Sequence, residues 1–211
     1  MNDIYLIRHS LKMRGPVTGD FSAFDLMQPL SAAGEDRARM LLDMPELRGA
    51  GFAAASNMSR SLATIRYILE ADNVPYIVDE RLHELGFGIK PQGMPMDEFM
   101  EYRWSVPEHV PEGGESVMQC RTRMHQAILE VAEAHPGEKL LIGSHGAAIT
   151  AFLGGIVEDL GDEFTRSINL PDVFHLTYED GVFSFCERLK MPFPLPLREP
   201  KPEGQIAPSW K

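Results

Sequence analysis

Four short segments of the chain hold residues able to bind and turn over an oxyanion. The first is Arg8-His9-Ser10, which follows the apolar run 3–8. Imidazole is a good nucleophile toward phosphorus and can carry a phosphoryl group covalently. Arginine presents a planar fork that matches two phosphate oxygens at once. Ser10 adds a hydroxyl that could donate a hydrogen bond to the same group. Read alone, the segment fits an exposed histidine and arginine at a strand end equally well.

The second segment is Ser56-Asn57-Met58-Ser59-Arg60-Ser61-Leu62-Ala63-Thr64. A strand ends and a helix begins here, so free backbone N–H groups and the positive end of a helix dipole face any anion. Arg60 sits in that first turn, where the dipole disfavours a cation; a solvated arginine is the plain alternative. The third is Gly143-Ser144-His145-Gly146, at another strand-to-helix turn. Gly146 permits close backbone approach, and His145 could stabilise charge on a transferring group. A lone histidine at such a turn is more often structural. The fourth is Leu82-His83-Glu84 before the glycines 86 and 88. A carboxyl there, shielded beside a bound anion, could serve as a general acid, although one Glu among many acids is little on its own.

These residues need elements to position them. Residues 3–8 read as a buried strand, as do Phe52 to Ala55, Tyr76-Ile77-Val78 and Leu140-Leu141-Ile142. Ser31 is a candidate N-cap for a helix with Ala38, Leu41 and Leu42 on one face. A helix from Ser59 carries Leu62, Ile65, Ile68 and Leu69. Ser116-Val117-Met118-Gln119 is a capping box that opens a long helix striped by Met124, Ile128, Val131 and Ala132. Another helix is predicted from Ala147 to Val157. Val173 to Tyr178 and Val182 to Cys186 flank Glu179-Asp180-Gly181 as a hairpin. Asp159, Asp162 and Glu163 read as a solvated loop. Strands alternating with helices imply an α/β fold, a three-layer α/β/α sandwich with a mainly parallel central sheet. Ligands in such sheets bind beyond the strands' C-terminal ends, where the Arg8, Arg60 and His145 segments fall.

The rhythm breaks twice. Glycines and prolines crowd residues 83–115, which read as an insertion with short helices around 96–104. From residue 191 the chain is Pro-rich and cannot continue a helix or a central strand. The expected organisation is one domain over 1–190, with its insertion at about 86–115, and a tail over 191–211.

Composition narrows the partners. With 211 residues the chain is long enough for a full core. Its formal net charge of −11 opposes nucleic acid and anionic membranes at long range, so neither is expected as a partner. No apolar run nears the roughly 20 residues of a membrane span, and residues 1–7 show no secretory leader. Cys120 and Cys186 show no metal-binding spacing, which fits a reducing cytoplasm and no bound metal. A phosphate ester would also be repelled unless cations gathered locally.

Together, in this order, the segments resemble the histidine phosphatase superfamily, which includes cofactor-dependent phosphoglycerate mutases and many small-molecule phosphatases. Leu6-Ile7-Arg8-His9 resembles its N-terminal Arg-His-Gly signature. Pro29-Leu30-Ser31-Ala32-Ala33-Gly34 is similar to its Pro-Leu-Thr-x-x-Gly helix start, and Ser56 through Thr64 to its Ser-x-x-x-Arg-x-x-x-Thr segment. Leu82-His83-Glu84 with Phe87-Gly88 resembles the segment bearing the acid, Gly113-Gly114-Glu115-Ser116 a second helix start, and Ser144-His145-Gly146 the second-histidine motif. The likeness spans about residues 1–185 and departs at Ser10, where the family usually has glycine. The asparagine often found just after that motif is also missing.

The resemblance implies a phosphoglycerate-mutase-like fold and a metal-independent, cofactor-free phosphatase acting on a small-molecule phosphate ester. His9 would be the nucleophile and Glu84 the general acid. Arg8, Arg60 and His145 would hold the phosphoryl oxygens, with Ser10 beside them. Two alternatives stay open: a mutase-type phosphotransferase, and a non-catalytic phospholigand-binding module on the same scaffold. Lys12, Arg14, Lys90 and His83 are further possible substrate contacts, each also readable as solvated surface. A homodimer paired through an apolar face of the insertion is left open too.

Overall fold

A computed structural model gives the structure of the chain, and its described residues are 1–13 and 26–193. Arg14, much of the predicted 9–30 loop and the tail beyond Phe193 lie outside them. Six strands form one sheet: β1 (Asn2–Arg8), β2 (Phe52–Ala55), β3 (Tyr76–Val78), β4 (Lys139–Ser144), β5 (Asp172–Glu179) and β6 (Val182–Arg188), in the order β3-β2-β4-β1-β5-β6. The pairs β3/β2, β2/β4 and β4/β1 are parallel, and β1/β5 and β5/β6 are antiparallel. Asp180 and Gly181, both at positive φ, close the β5–β6 hairpin as the Asp-Gly pair predicts.

The central strands are apolar without alternation because both faces are covered. On one face Ile4 and Leu6 of β1, with Leu140 and Ile142 of β4, pack against α4 (Val117–Ala134) and α5 (Gly146–Leu153) through Met124, Ile128, Ala148 and Phe152. On the other, Tyr5, Ile7 and Leu141 meet Ile65, Ile68 and Leu69 of α2 (Ser59–Asp72). α1 (Ala32–Met40) runs beside α2 on that face, its Ala38 fully buried. The result is the α/β/α sandwich. Each fully buried Leu or Ile contributes about 1.5–3 kcal/mol, so both interfaces are needed. Beyond the last strand, Leu189, Met191 and Phe193 continue to pack on this second face.

The caps account for the helix starts. Ser31 accepts the Gly34 N–H at 3.1 Å, and Ser116 and Gln119 form the reciprocal box expected of them. Gly34 is required for a second reason: a Cβ there would stand 2.0 Å from the Leu11 carbonyl oxygen.

Two readings need correction. The helix predicted to reach Val157 ends at Leu153, because Gly154 and Gly155 follow and weaken any continuation. The acidic stretch predicted as a solvated loop instead opens α6 (Asp162–Ser167). Asp162 and Glu163 suit its positive N-terminal end, and Asp162 pairs with Arg166 one turn later at 2.5 Å. The insertion carries α3 (Met96–Ser105), whose Phe99 is buried as packing rather than exposed. Among the described residues no helix is long and apolar enough to cross a membrane.

Candidate active site

Strand register brings the two histidines together. Arg8 and Ser144 are partners on β1 and β4, and the His9 N–H donates to the Ser144 carbonyl at 3.0 Å. The next residues of both strands, His9 and His145, therefore leave the sheet side by side, with ring centroids 5.1 Å apart. On the other side of β4, the Ser56 N–H donates to the Gly143 carbonyl. This carries the β2–α2 turn, and with it Arg60, to the same end of the sheet.

His9 is 6 % exposed. Its Nδ1 lies 2.7 Å from the Ser10 carbonyl oxygen. A carbonyl only accepts, so Nδ1 carries the proton and Nε2 keeps its lone pair. Burial first, then the charges of Arg60 and Arg8, push the imidazole pKa well below its ordinary range, against a smaller opposing effect of the Ser10 carbonyl. His145 is fully buried and depressed likewise, by burial first and then by His9 and Arg60. A neutral imidazole with a bare Nε2 is the form a nucleophile needs.

Both arginines are held by the fold. Arg8 donates from Nη1 to the Ile168 and Asn169 carbonyls. That loop is tied in turn by the buried Asp172, which accepts the Asn169 N–H at 2.7 Å and an Arg188 hydrogen bond at 2.5 Å. Gly146 makes room for the guanidinium, since a Cβ there would lie 2.9 Å from Arg8 Cζ. Arg60 is 4 % exposed in the first turn of α2, a position the helix dipole penalises for a cation unless an anion balances it.

Glu84 reaches the same end from the β3–α4 connection. Its Oε1 accepts the Leu85 N–H and, at 2.9 Å, the Ala148 N–H in the first turn of α5. His83 turns its Nδ1 to the Glu84 carbonyl at 2.6 Å. Lys12 is half-buried and near enough for its charge to act on His9.

Ser10 behaves otherwise than its sequence position suggested. It is fully buried, and its hydroxyl donates to the Gly34 carbonyl at 2.8 Å. Its N–H donates to Thr64 Oγ1, which itself donates to the Arg60 carbonyl. The only proton on the hydroxyl is thus committed to the scaffold, and Ser10 links β1 to α1 and α2 instead of facing a ligand. Sequence reasoning gave no role to Ser56, Thr64, Glu115, Arg123 or Asp172. The first three lay inside quoted motifs, but Ser56 meets His145 and Thr64 meets Ser10 from segments distant in sequence, and the pairing of Glu115 with Arg123 follows no motif spacing.

The sheet thus gathers two histidines, two arginines and a carboxylate at one end of an α/β fold. The model of the histidine phosphatase superfamily (branch 1) matches residues 4–187, and the chain belongs to that family. A relative named probable phosphoglycerate mutase GpmB, from Enterobacter sp. (strain 638), is 27% identical over 164 residues, covering 74% of this chain and 75% of the relative. Among solved structures, Bacillus stearothermophilus YhfR is similar at a TM-score of 0.67 and 21% identity, over 88% of this chain and 95% of that one. A mutant phosphoserine phosphatase from Entamoeba histolytica, in complex with phosphoserine, is similar at a TM-score of 0.68 and 16% identity, over 89% and 96%. Both structures share the fold.

Proposed function

We propose that the chain is a phosphomonoesterase that works through a phosphohistidine on His9 and acts on a small phosphate ester. The observation that carries this reading is the His9 ring: buried, neutral, anchored at Nδ1 by a carbonyl, and flanked by Arg8, Arg60 and His145. In the first step His9 Nε2 attacks phosphorus in line and the ester P–O bond breaks. Glu84 gives its proton to the departing alkoxide. In the second step Glu84 takes a proton from water as the oxygen attacks phosphorus and the P–N bond breaks. Phosphate leaves and His9 is neutral again. Loose phosphoryl transfer asks mainly for positioning and charge stabilisation, and two guanidiniums with the His145 ring supply both without a metal ion. Their convergence answers the overall negative charge locally.

A mutase is the second reading, favoured by the name of the relative above. A mutase must hold a second phosphate while it keeps water from the phosphoenzyme. The insertion offers two cations between Glu84 and Glu115, and both are occupied. Lys90 donates to the Pro91 and Met94 carbonyls. Arg103 is buried between the Phe87 and Phe99 rings and donates to the Glu115 carbonyl. This supports hydrolysis.

The test is turnover of a generic aryl phosphate in the presence of a chelator, with wild type and His9→Ala side by side. The variant should lose roughly 1,000-fold or more. Equal rates in the two proteins would remove His9 from the reaction. With a phosphate ester that carries a second hydroxyl, isomerised product without free phosphate would favour the mutase.

A further inference from the structure

Among the described residues the buried ring of His145 is bonded at one nitrogen only. Nε2 lies 2.7 Å from Ser56 Oγ. Nδ1 is buried and has no hydrogen-bond partner among the described residues. Ser56 is 1 % exposed, and its Oγ also accepts the Met58 N–H at 3.1 Å. The β2–α2 turn thus fixes the hydroxyl from behind and aims it at the imidazole.

A neutral imidazole has one N–H and one bare nitrogen, and the partner of one nitrogen decides the state of the other. Two arrangements are open to this pair. With the proton on Nε2, Ser56 Oγ accepts twice and its own proton has no acceptor, while the bare Nδ1 is also unmet. With the proton on Nδ1, Ser56 accepts from Met58 and donates to Nε2, and every group but one is satisfied. The one left over is a donor, Nδ1–H, on a ring 5.1 Å from that of His9. Buried polar groups are paired wherever the fold permits, so the second arrangement is favoured. It also has chemical sense: the first would turn a lone pair toward an oxyanion, and the second turns an N–H.

We propose that Ser56 is a positioning residue that locks His145 as the Nδ1–H tautomer, so that the second histidine donates to the transferring phosphoryl group. Its part in turnover rests on the phosphomonoesterase reading; the tautomer does not.

The tautomer is read directly from two-bond proton–nitrogen correlations of the 15N-labelled, ligand-free chain, with the His145 signals assigned by their loss in His145→Gln. The expected pattern couples the ring Hδ2 strongly to an unprotonated Nε2. In Ser56→Ala the pattern should shift to a mixture or to Nε2–H. Its kcat on an aryl phosphate should fall about 10- to 100-fold, short of the roughly 100- to 1,000-fold cost of losing a donor outright. Ser56→Thr, which keeps the hydroxyl, should restore most of it, and in a His145→Ala background Ser56→Ala should add no further loss. A wild-type ring already protonated at Nε2 overturns the proposal, whether or not the variant folds. So does a Ser56→Ala protein that keeps both pattern and kcat. A wild-type chain with Nδ1–H but no turnover of any phosphate ester supports the Ser56 contact and overturns the phosphatase reading alone.

Discussion

Arg123 meets Glu115 with two parallel hydrogen bonds, Nη2 to Oε1 at 2.5 Å and Nε to Oε2 at 2.9 Å. The same guanidinium donates to the carbonyls of Arg81, His83 and Glu84, and Glu115 Oε1 accepts the Gly86 N–H. The pair thus grips the chain on both sides of Glu84. A lysine has no fork to replace these contacts. Arg123→Lys should cost about 3 kcal/mol, as for a buried pair that loses its geometry, seen as a lower denaturant midpoint. It should also slow an alkyl phosphate by about 100-fold, within the range of general acid catalysis, and an activated aryl phosphate far less, because a good leaving group needs no proton. Equal slowing of both substrates would detach Arg123 from the acid.

Ser10 gives a contrary expectation. Its hydroxyl serves the Gly34 carbonyl, so Ser10→Gly should leave kcat within about twofold while costing about 1 kcal/mol for the lost hydrogen bond. Urea unfolding and steady-state kinetics on the same protein separate the two effects. A collapse of kcat at native stability would return the hydroxyl to the phosphate.

Gly146→Ala tests the seat of Arg8. The added Cβ would lie 2.9 Å from Arg8 Cζ and Nε, and the guanidinium must move. KM for an aryl phosphate and the inhibition constant for inorganic phosphate should rise together by about tenfold, or about 1.4 kcal/mol. Unchanged phosphate binding would mean that Arg8 does not hold the oxyanion.

The depressed histidines make two pH statements. The proposed attack needs a neutral His9, and its pKa lies below the ordinary imidazole value of 6.5, so kcat/KM should stay level as pH falls through 6.5 and drop only further down. For stability, the unfolded chain protonates both His9 and His145 near 6.5, while the folded chain resists. The unfolded state then binds more protons, so stability should fall as pH drops from 6.5 toward the lower folded-state values. Thermal midpoints measured from pH 8 to 5 check this, and His145→Gln should flatten the decline.

Much of the frame was legible because it is local. The apolar run at β1, the caps at Ser31 and Ser116 and the Asp-Gly hairpin each announce themselves within a few residues. The register that sets His9 beside His145 joins residues more than a hundred positions apart, and only their shared placement at strand ends hinted at it. α6 was hidden because its acids, typical of a solvated loop, suit a helix N-terminus equally well. Ser10 is read by residue type and Ser56 and Arg123 receive no role, because the parts they play depend on which carbonyl or ring stands opposite, and periodicity shows faces rather than partners. Ser10 shows the cost: a hydroxyl next to His9 in sequence is bonded to another helix in space.

The most direct test of the whole account is the stereochemistry at phosphorus, followed with a phosphorothioate monoester made chiral by sulfur and two oxygen isotopes and with water carrying the third isotope. Transfer first to His9 Nε2 and then to water is two inversions, so the released thiophosphate should show net retention. Net inversion would mean a single direct attack by water and would contradict a phosphohistidine on His9.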